Sequence, residues 1–513
     1  MSGGVSKEVS KKTPDGSAHV ATGGYPGIQS VAVRVVSEYR SEVLWGRPQR
    51  GRERGRSDTL TGVEILYTDR CECEFHWHLA RHMDSPGLLW MAPALSGGGY
   101  ASEAIAFAQG LENVLGNRFA LRQFAEPASL SDDDLATHPH TKLLRRVMRL
   151  ADARGAGSGI VVCHSTPDAW VPSKFPGWDA VAPCPPPRAR FAIGRTMFET
   201  DGLPFGWAAR CNTMDEIWVP TSEAADNFAR AGVDAKKLVV IGEPVDSAFF
   251  DPTLYAPLEL PPLLGQAAAA AAPYRFLAVF KWEARKGWDV LLRAYWAEFE
   301  ASERVELVLK TTPFHSSADF EGLIADFVRV SGLPAQRAPV RILGHDVAAA
   351  ALPSLYRTAD CFVLPSRGEG WGRPHVEAMA MALPVIATNA TGPTAFLDET
   401  VGYPLDATRV PVPDEMQLPG HTWAEPSVKH LRALMRHVYT EPEEARARGR
   451  AARERMAKAF SPAALAAEVE GHLTRIARTL SKREQGDGRA DKGIGKTEAK
   501  AKVKRHGLMR DEL

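Results

Sequence analysis

The stretch 366-SRGEGWGRPHVEAMA-380 decides the fold of the second half of the chain, because it joins an apolar run to a helix through a glycine-rich loop. The preceding run, Cys361 to Leu364, is short and wholly apolar, which is typical of a buried strand. Proline suits the first turn of a helix, so we expect a helix to begin at Pro374. The free N–H groups at such a helix start favour phosphate or sugar oxygens. The stretch therefore predicts a strand, a ligand-binding loop and a helix.

Two carboxylates flank the start of this predicted helix. Glu369 precedes the helix and Glu377 lies one turn inside it, so both can face one ligand at different depths. A carboxylate accepts two hydrogen bonds and suits a pair of neighbouring hydroxyl groups. The alternative is one glutamate that caps the helix and one that is solvated. The pattern favours a site for a ligand with several hydroxyl groups.

Strands and helices alternate on both sides of a stretch rich in proline and alanine. Short apolar runs separated by helical stretches begin at Leu88, and the alternation restarts at Tyr274. Such alternation is typical of parallel sheets with crossover helices. We therefore expect an α/β protein with two doubly wound, Rossmann-like domains that face a cleft. The predicted divisions are a disordered leader over 1–85, a first Rossmann-like domain over 86–250, a linker over 251–273, a second Rossmann-like domain over 274–445, closing helices over 446–480 and a disordered charged tail over 481–513.

The charge balance and the length of the apolar runs argue against a nucleic-acid partner and a membrane span. Of the 513 residues, 44% are hydrophobic and 24% are charged, an ordinary globular composition. Lys plus Arg and Asp plus Glu each number 62, and this balance argues against a nucleic-acid-binding protein. No apolar run reaches the roughly 20 residues that a membrane-spanning helix needs. We expect neither a nucleic-acid partner nor a membrane span.

A second chemical signal follows the first predicted strand of the second domain, in the sequence 280-FKWEARKGW-288. Lys281 and Lys286 come after the strand and beside a helix start, where cationic groups are placed to meet a diphosphate. Their charge would stabilise the negative charge that grows on a departing diphosphate. The alternative is an exposed basic helix start. Ligands of open parallel sheets bind at the carboxyl ends of the strands, where these lysines fall.

These motifs resemble the retaining glycosyltransferases of family 4, which have the GT-B fold. The resemblance covers roughly residues 88–480 and is most specific where two glutamates separated by seven residues precede a strand and the loop 391-TGPT-394. It implies that Glu369 contacts the donor sugar, that Glu377 contacts the ribose, and that Lys281 and Lys286 bind the donor diphosphate. The family usually has a small apolar residue at the position of Arg373, which leaves the sugar preference open. The other residues predicted to bind the donor are Gly98, Gly99, Gly370, Trp371, Gly372 and Arg373.

The first domain contributes further candidates. Gly98 and Gly99 belong to a glycine turn after the first predicted strand, which the family places over the diphosphate. The turn lacks a full Gly-x-Gly-x-x-Gly pattern, so a nicotinamide cofactor is not indicated. His164 ends another strand, and related transferases often have a histidine there near the reacting sugar; a hydrogen-bonded structural histidine is the equal alternative. Glu199 and Asp201 are expected on the acceptor side.

The resemblance implies transfer of a sugar from a nucleoside-diphosphate-sugar donor to an acceptor hydroxyl with retention at the anomeric carbon. It also implies that the first domain binds the acceptor and that the second binds the nucleotide sugar. We see no Asp-x-Asp motif after a predicted strand and expect no required metal, and the donor is a co-substrate, so we expect no further cofactor. The acceptor, whether glycan, lipid or protein, stays open. The alternatives are a sugar-nucleotide epimerase or phosphorylase of the same fold, and a non-catalytic protein that binds sugar nucleotides or glycans.

The two ends of the chain and its cysteines give weaker indications. The ending 510-RDEL-513 resembles a retention signal of the endoplasmic reticulum, yet the first thirty residues show no secretory signal, so the cytoplasm is the alternative. Six cysteines in a chain of this length do not predict a disulfide framework. Cys71, Cys73, His76 and His78 are close enough in sequence to suggest a metal site, but an irregular solvated segment is the preferred interpretation.

Overall fold

The structure is a computed structural model, and the residues it describes begin at position 87. The described ranges are 87–96, 98–126, 128, 132–153, 159–177, 182–261, 272–314, 316–333, 336–345 and 347–483. The predicted leader, the charged tail from residue 484 onward, the RDEL ending and the Cys71–His78 cluster therefore lie outside the described residues, whereas 481–483 continue a helix. The ranges that are described contain two parallel sheets, each flanked by helices, which we call the first and second lobes.

The first lobe is built on six parallel strands in the order β2-β1-β3-β4-β5-β6. These strands are β1 (Leu88–Ala92), β2 (Phe119–Gln123), β3 (Ile160–His164), β4 (Phe191–Arg195), β5 (Glu216–Val219) and β6 (Leu238–Val240). The four central strands are buried along their whole length, as expected for apolar strands covered on both faces. The helices between them are α1 (Gly99–Leu115), α2 (Asp132–Thr137), α3 (Thr141–Ala153), α4 (Trp207–Cys211) and α5 (Ser222–Arg230).

The second lobe repeats the arrangement with six parallel strands in the order β12-β11-β10-β7-β8-β9. They are β7 (Tyr274–Trp282), β8 (Val305–Pro313), β9 (Val340–Leu343), β10 (Cys361–Leu364), β11 (Val385–Thr388) and β12 (Tyr403–Leu405), followed by an antiparallel hairpin of β13 (Ala407–Pro411) and β14 (Thr422–Pro426). The helices are α6 (Trp288–Glu298), α7 (Phe320–Ser331), α8 (Leu352–Tyr356), α9 (Arg373–Ala380), α10 (Val428–Thr440) and α11 (Pro442–Ala459).

A last helix, α12 over 462–483, returns the chain to the first lobe. Its apolar side chains, including Leu465, Val469 and Ile476, are buried in the same core as Leu88 and Trp90 of β1. The close contact requires a glycine on α1, because a Cβ on Gly110 would lie 1.9 Å from the carbonyl oxygen of Pro462. The carboxyl-terminal part of the chain therefore connects the two lobes a second time.

The described parts of the predicted linker lie against the second lobe. The backbone N–H of Leu258 donates to the carbonyl of Ser354 at 2.9 Å, and the side chains of Leu258 and Leu260 contact the core of that lobe. Residues 262–271, the alanine-rich part, are outside the described residues.

The expectation of an α/β protein with two doubly wound domains is confirmed by the two sheets. The hairpin β13–β14 was not predicted. A disulfide between Cys163, in β3, and Cys184 was not predicted either, because nothing in the spacing of 21 residues marks those two cysteines as partners. Within the described ranges, none of the helices combines the length and the apolar character needed to cross a membrane.

Candidate functional site

The strand order places the predicted residues at a switch point of the second sheet. From β7 the chain proceeds outward to β8 and β9, whereas β10, β11 and β12 lie on the other side of β7. The loops that follow β7 and β10 therefore lie next to each other at the switch point, where open α/β sheets bind ligands in a crevice at the carboxyl ends of the strands. Lys286 follows β7, and Glu369 follows β10. The topology thus brings together residues that are distant in sequence.

The two predicted residues at this crevice form an ion pair. The Nζ of Lys286 donates to both carboxylate oxygens of Glu369 at 2.8 Å. Both side chains are buried, with 9% of Lys286 and 6% of Glu369 exposed. A buried charge requires a partner, so each of these groups stabilises the ionised form of the other.

Arg285, which sequence reasoning passed over, completes the cluster. The Nη1 of Arg285 donates to the carbonyl of Gly368 at 2.6 Å and lies 3.4 Å from the Glu369 carboxylate. Its Nη2 donates to Glu283 at 2.7 Å and faces Glu199 of the first lobe at 3.5 Å. The signal for it was available, since Arg285 directly precedes Lys286 in the basic stretch.

The electrostatics of the cluster favour an ionised Glu369. Burial alone would raise the pKa of Glu369, but the charges of Lys286 and then Arg285 outweigh it and bring that pKa to about 2. The pKa of Lys286 is lowered, first by burial and next by the charge of Arg285, while Glu369 opposes the shift. Two cations and an ionised carboxylate therefore meet in a buried site, a set that can bind phosphate oxygens beside hydroxyl groups.

The loop that carries Glu369 is anchored from both sides. The hydroxyl of Thr391 accepts the backbone N–H of Glu369 at 3.0 Å. Arg367 donates with two nitrogens to Asp289 of α6, both at 2.8 Å, and with two to Glu425 of β14. Planar guanidinium pairs of this kind fix orientation as well as charge. The position of the Glu369 carboxylate is therefore set by the fold rather than by its own rotamer alone.

Glu377 lies on the same helix start but has different partners. Its Oε2 accepts the hydroxyl of Tyr356 at 2.8 Å, and 8% of the residue is exposed. Burial raises the pKa of Glu377 above its ordinary value, although Arg373 and the Tyr356 hydroxyl oppose the shift. The two predicted carboxylates are thus both buried, but only Glu369 is held by a direct cationic contact.

Arg373, predicted to bind the donor, reaches across to the first lobe. Its Nε donates to the hydroxyl of Ser102 on α1 at 3.1 Å, and its Nη1 donates to the carbonyl of Pro244 at 2.5 Å. The same Nη1 lies 3.6 Å from the buried carboxylate of Glu243. In this arrangement the first residue of α9 joins the lobes.

The glycines of the loop make room for the other lobe. A Cβ on Gly368 would lie 2.0 Å from the carbonyl oxygen of Glu199, and one on Gly370 would lie 2.4 Å from the sulfur of Met197. Gly370 is one of the residues predicted to bind the donor, but in the structure the first lobe fills the space beside it. Gly372 has φ +118° and precedes α9, a conformation that favours glycine.

Two other predicted residues stand apart from the cluster. The side chain of Lys281 is exposed, and its Nζ lies 5.0 Å from the ring centre of Phe314. The structure does not bring Lys281 to Glu369 in the way it brings Lys286. Trp371 is buried and packs against Phe396 and Phe460, with its indole N–H unpaired among the described residues. The donor-binding roles assigned to both stay predictions.

His164 is fully buried and both of its ring nitrogens are occupied. Trp90 Nε1 donates to Nδ1 at 3.0 Å, and Nε2 lies 2.9 Å from the carboxylate of Glu103. Because an indole only donates, the ring proton belongs on Nε2 and points to Glu103. These contacts favour the structural alternative for His164.

The glycine turn of the first lobe opens α1. Gly98 is the residue before the helix, and a Cβ on Gly99 would meet no atom within 4 Å. The space that a donor would need next to Gly99 is therefore present, and the predicted contact stays a prediction.

The two acidic residues expected on the acceptor side contact the second lobe instead. Glu199 faces Arg285. Asp201 accepts the backbone N–H of Thr422, in β14, at 2.7 Å and also accepts its hydroxyl. The unpredicted hairpin is the reason, since it carries Thr422 to the loop after β4. Asp201 thereby holds the lobes together in this structure.

Within the part of the chain that the structure describes, His, Cys, Asp and Glu side chains form no group of three or more that could hold a metal ion. Independence from metal stays a prediction.

In the sequence comparison, one family model matches part of the chain. The model of the family described as Glycosyl transferases group 1 matches residues 261–415, which include Lys286, Glu369 and Glu377. A D-inositol 3-phosphate glycosyltransferase of Kineococcus radiotolerans is 32% identical over 236 residues, covering 43% of this chain and 48% of that protein. The chain thus spans about half the length of this curated relative.

Structural comparison extends the likeness over most of the described chain. The Anabaena protein Alr3699/HepE, solved in complex with UDP and glucose, has a TM-score of 0.53 at 15% identity over 76% of this chain and 100% of its own. Sucrose-phosphate synthase of Thermosynechococcus elongatus has a TM-score of 0.50 at 16% identity, with 77% of this chain and 99% of that chain covered. These likenesses confirm the expected GT-B architecture.

Proposed function

We propose that this chain, whose fold is GT-B and whose second lobe matches the group 1 glycosyl transferases, is a glycosyltransferase. It moves a sugar from a nucleoside-diphosphate-sugar donor to an acceptor hydroxyl, with retention at the anomeric carbon and without a required metal.

One observation carries the proposal: the buried contact of Lys286 with Glu369 at the switch point of the second sheet. A cation and a carboxylate side by side suit a ligand that presents phosphate oxygens next to hydroxyl groups. A sugar linked to a diphosphate has this combination of groups. The family match supports the proposal because it covers both residues.

The roles follow from charge and position. Lys286 and Arg285 stabilise the charge that develops on the diphosphate as the glycosidic bond breaks, the largest single contribution that a preorganised site makes. Glu369, ionised and anchored, accepts hydrogen bonds from the donor sugar. Glu377 accepts from the ribose hydroxyls one turn further into α9. The acceptor oxygen attacks from the face that the diphosphate leaves, and a phosphate oxygen takes its proton, which gives retention.

Binding of the donor requires that the ammonium group of Lys286 turn from Glu369 toward phosphate. In the structure the two groups neutralise each other, and phosphate oxygens would replace the carboxylate as acceptors for Nζ. The exchange leaves the Glu369 carboxylate free for sugar hydroxyls. Lys286 and Glu369 thus keep each other ionised until the donor arrives.

The experiment that tests the proposal is a thermal-shift screen with nucleoside diphosphates and their sugars, followed by product analysis. A ligand that binds only the native state raises the melting temperature, by more when it binds more tightly or is present at higher concentration. Three structures of the Anabaena protein Alr3699/HepE, which is similar to this chain, hold UDP or UDP-glucose, so uridine compounds are the first to test. Stabilisation by one nucleoside diphosphate and formation of an α- or β-linked product that matches the donor support the proposal. Epimerised donor without acceptor would make the chain an epimerase, and binding without turnover would make it a non-catalytic binder.

A further inference from the structure

A buried ionic network lies in the first lobe, away from Lys286 and Glu369. Glu103 of α1, His164 of β3 and Arg195 of β4 are each 0% exposed. The Nε of Arg195 donates to one carboxylate oxygen of Glu103 at 2.7 Å, and the Nε2 of His164 contacts the other at 2.9 Å. Both oxygens of Glu103 are therefore bonded, as a buried carboxylate requires.

The network favours the ionised form of Glu103. Burial by itself would raise the pKa of Glu103, but Arg195 and then His164 outweigh it, and the pKa falls to about 2. Glu103 is consequently a carboxylate at any ordinary pH, and Arg195 is its counter-ion. The ring of His164 is oriented by Trp90, which donates to Nδ1.

Arg195 also ties down the segment that follows β6. Its Nη1 donates to the carbonyl of Ile241 at 2.6 Å, and its Nη2 donates to the carbonyl of Gly242 at 3.4 Å. The next two residues of this segment, Glu243 and Pro244, are the ones that face Arg373 of the second lobe. The guanidinium fork of Arg195 thus fixes the backbone immediately before the contact between the lobes.

The network reaches Arg373 by a second route through α1. Ser102, whose hydroxyl accepts the Nε of Arg373, is the residue before Glu103. Glu103 is joined to Ser102 by one peptide bond, so a displacement of Glu103 also displaces Ser102. A displacement of Arg195 is passed to Pro244 through the short stretch of backbone that Arg195 bonds. Both acceptors of Arg373 are attached to the same buried ion pair.

We propose that Glu103 and Arg195 are positioning residues, which hold Ser102 and the segment 241–244 in register for Arg373 and thereby fix the start of α9 that carries Glu377. The proposal predicts that breaking the network weakens the affinity for the donor, and this consequence rests on the proposed function. The contact itself is independent of the donor's identity.

The chain offers a matched control in the same lobe. Glu216 of β5 is a buried carboxylate, 7% exposed, that accepts from two nitrogens of Arg475 and from the indole of Trp218. Its hydrogen-bond partners belong to β5 and α12, and among the described residues they include neither Arg195 nor Arg373 nor the acceptors of Arg373. Glu216→Gln and Glu103→Gln therefore remove comparable buried charges, but only the second lies on the route to α9.

The test is hydrogen exchange of the full chain, read by mass spectrometry on peptides covering 241–246 and 373–380. In Glu103→Gln and in Arg195→Lys both peptides should exchange faster by about tenfold, while Glu216→Gln leaves them at the wild-type rate. Equal acceleration in Glu103→Gln and Glu216→Gln would reduce the network to a purely structural element and overturn the proposal. Should Glu103→Gln fail to fold, Arg195→Lys is used in its place. This variant keeps the positive charge but loses the forked guanidinium group, and its exchange rates are compared with those of Glu216→Gln in the same way.

The consequence for the donor is measured by calorimetric titration with UDP. Glu103→Gln should weaken binding by about fivefold in the wild-type background and not at all in Arg373→Ala, because Arg373 transmits the effect. If Glu103→Gln weakened UDP binding by the same factor in the Arg373→Ala background as in the wild type, the proposed route through Arg373 would be contradicted. If the wild type binds no nucleoside diphosphate, the proposed function fails, while the exchange experiment still decides the positioning role.

Discussion

The ammonium group of Lys286 lies 2.8 Å from both carboxylate oxygens of Glu369, which is 83 residues further along the chain. The contact joins the loop after β7 to the loop after β10 across the switch point of the second sheet. Because both groups are buried, neither can lose its partner without cost. The same two groups are the proposed contacts of the donor, so the stability of the site and its function are linked.

The first prediction concerns the stability of this pair. Lys286→Ala leaves the Glu369 carboxylate buried with Arg285 at 3.4 Å, and we expect it to lower the free energy of unfolding by about 3 kcal/mol. In the double variant Lys286→Ala, Glu369→Gln the unpaired charge is gone, so part of the loss should be recovered. Urea unfolding of the single and double variants measures this. A double variant as unstable as the sum of the two single changes would refute the coupling.

The second prediction concerns the approach of the lobes. In Gly368→Ala the new Cβ meets the backbone carbonyl of Glu199 at 2.0 Å, so the loop or the first lobe must move. Since that loop carries Glu369, we expect the KM for the donor to rise at least about tenfold. Gly471→Ala, where an added Cβ meets nothing within 4 Å, is the control. The KM for the donor is measured by steady-state kinetics with both variants. An equal KM in Gly368→Ala and Gly471→Ala would contradict the close contact between Gly368 and Glu199.

The third prediction concerns pH and donor binding. The Tyr356 hydroxyl stabilises the ionised form of Glu377, whose pKa is already raised by burial. Tyr356→Phe removes that hydrogen bond, so the pKa rises further and the acid limb of donor affinity should move to higher pH. Tyr295→Phe removes another buried hydroxyl of the same lobe, bonded to the carbonyl of Pro339, and should leave the limb in place. An unchanged limb in Tyr356→Phe would remove the ribose role of Glu377.

The fourth prediction concerns acid stability. Glu369 has a pKa of about 2 in the folded chain against an ordinary value of 4.5, so the unfolded state binds more protons between these values. Its contribution to stability is complete above about pH 4.5 and is lost as pH falls toward 2. In Glu369→Gln the slope of unfolding free energy against pH should therefore be shallower, by up to about 1.4 kcal/mol per pH unit, in this window. Urea titrations at several acidic pH values check this prediction. An unchanged slope would mean that the fold does not lower the pKa of the Glu369 carboxyl group.

Much of the fold could be predicted because local signals agreed. The apolar runs, the glycine-rich loops and Pro374 each marked an element end, and parallel strands between helices admit few topologies. The hairpin β13–β14 escaped because its strand 407-ATRVP-411 is mostly exposed and alternates weakly. The Cys163–Cys184 disulfide was not predicted because the pairing depends on whether the chain after β3 returns close to Cys163, which the sequence does not show.

The site was predictable in part for a similar reason. Lys286 and Glu369 were found because both follow strands, and strand ends in one sheet converge. Sequence could not show that Lys281 faces solvent while Arg285 turns inward, because side-chain direction at a strand end depends on the packing of the next helix. Nor could it show that Arg373 contacts Ser102, since that contact depends on how the lobes meet.

The central claim is that Lys286 and Glu369 form the donor site, and a calorimetric titration of UDP into paired variants tests it most directly. Arg341→Ala is the control, because Arg341 donates to the buried Glu306 at 2.6 Å in the same lobe, near the amino end of β8. We predict that Lys286→Ala weakens UDP binding at least about a hundredfold while Arg341→Ala binds as the wild type does. Equal affinity of Lys286→Ala and Arg341→Ala for UDP would contradict the account.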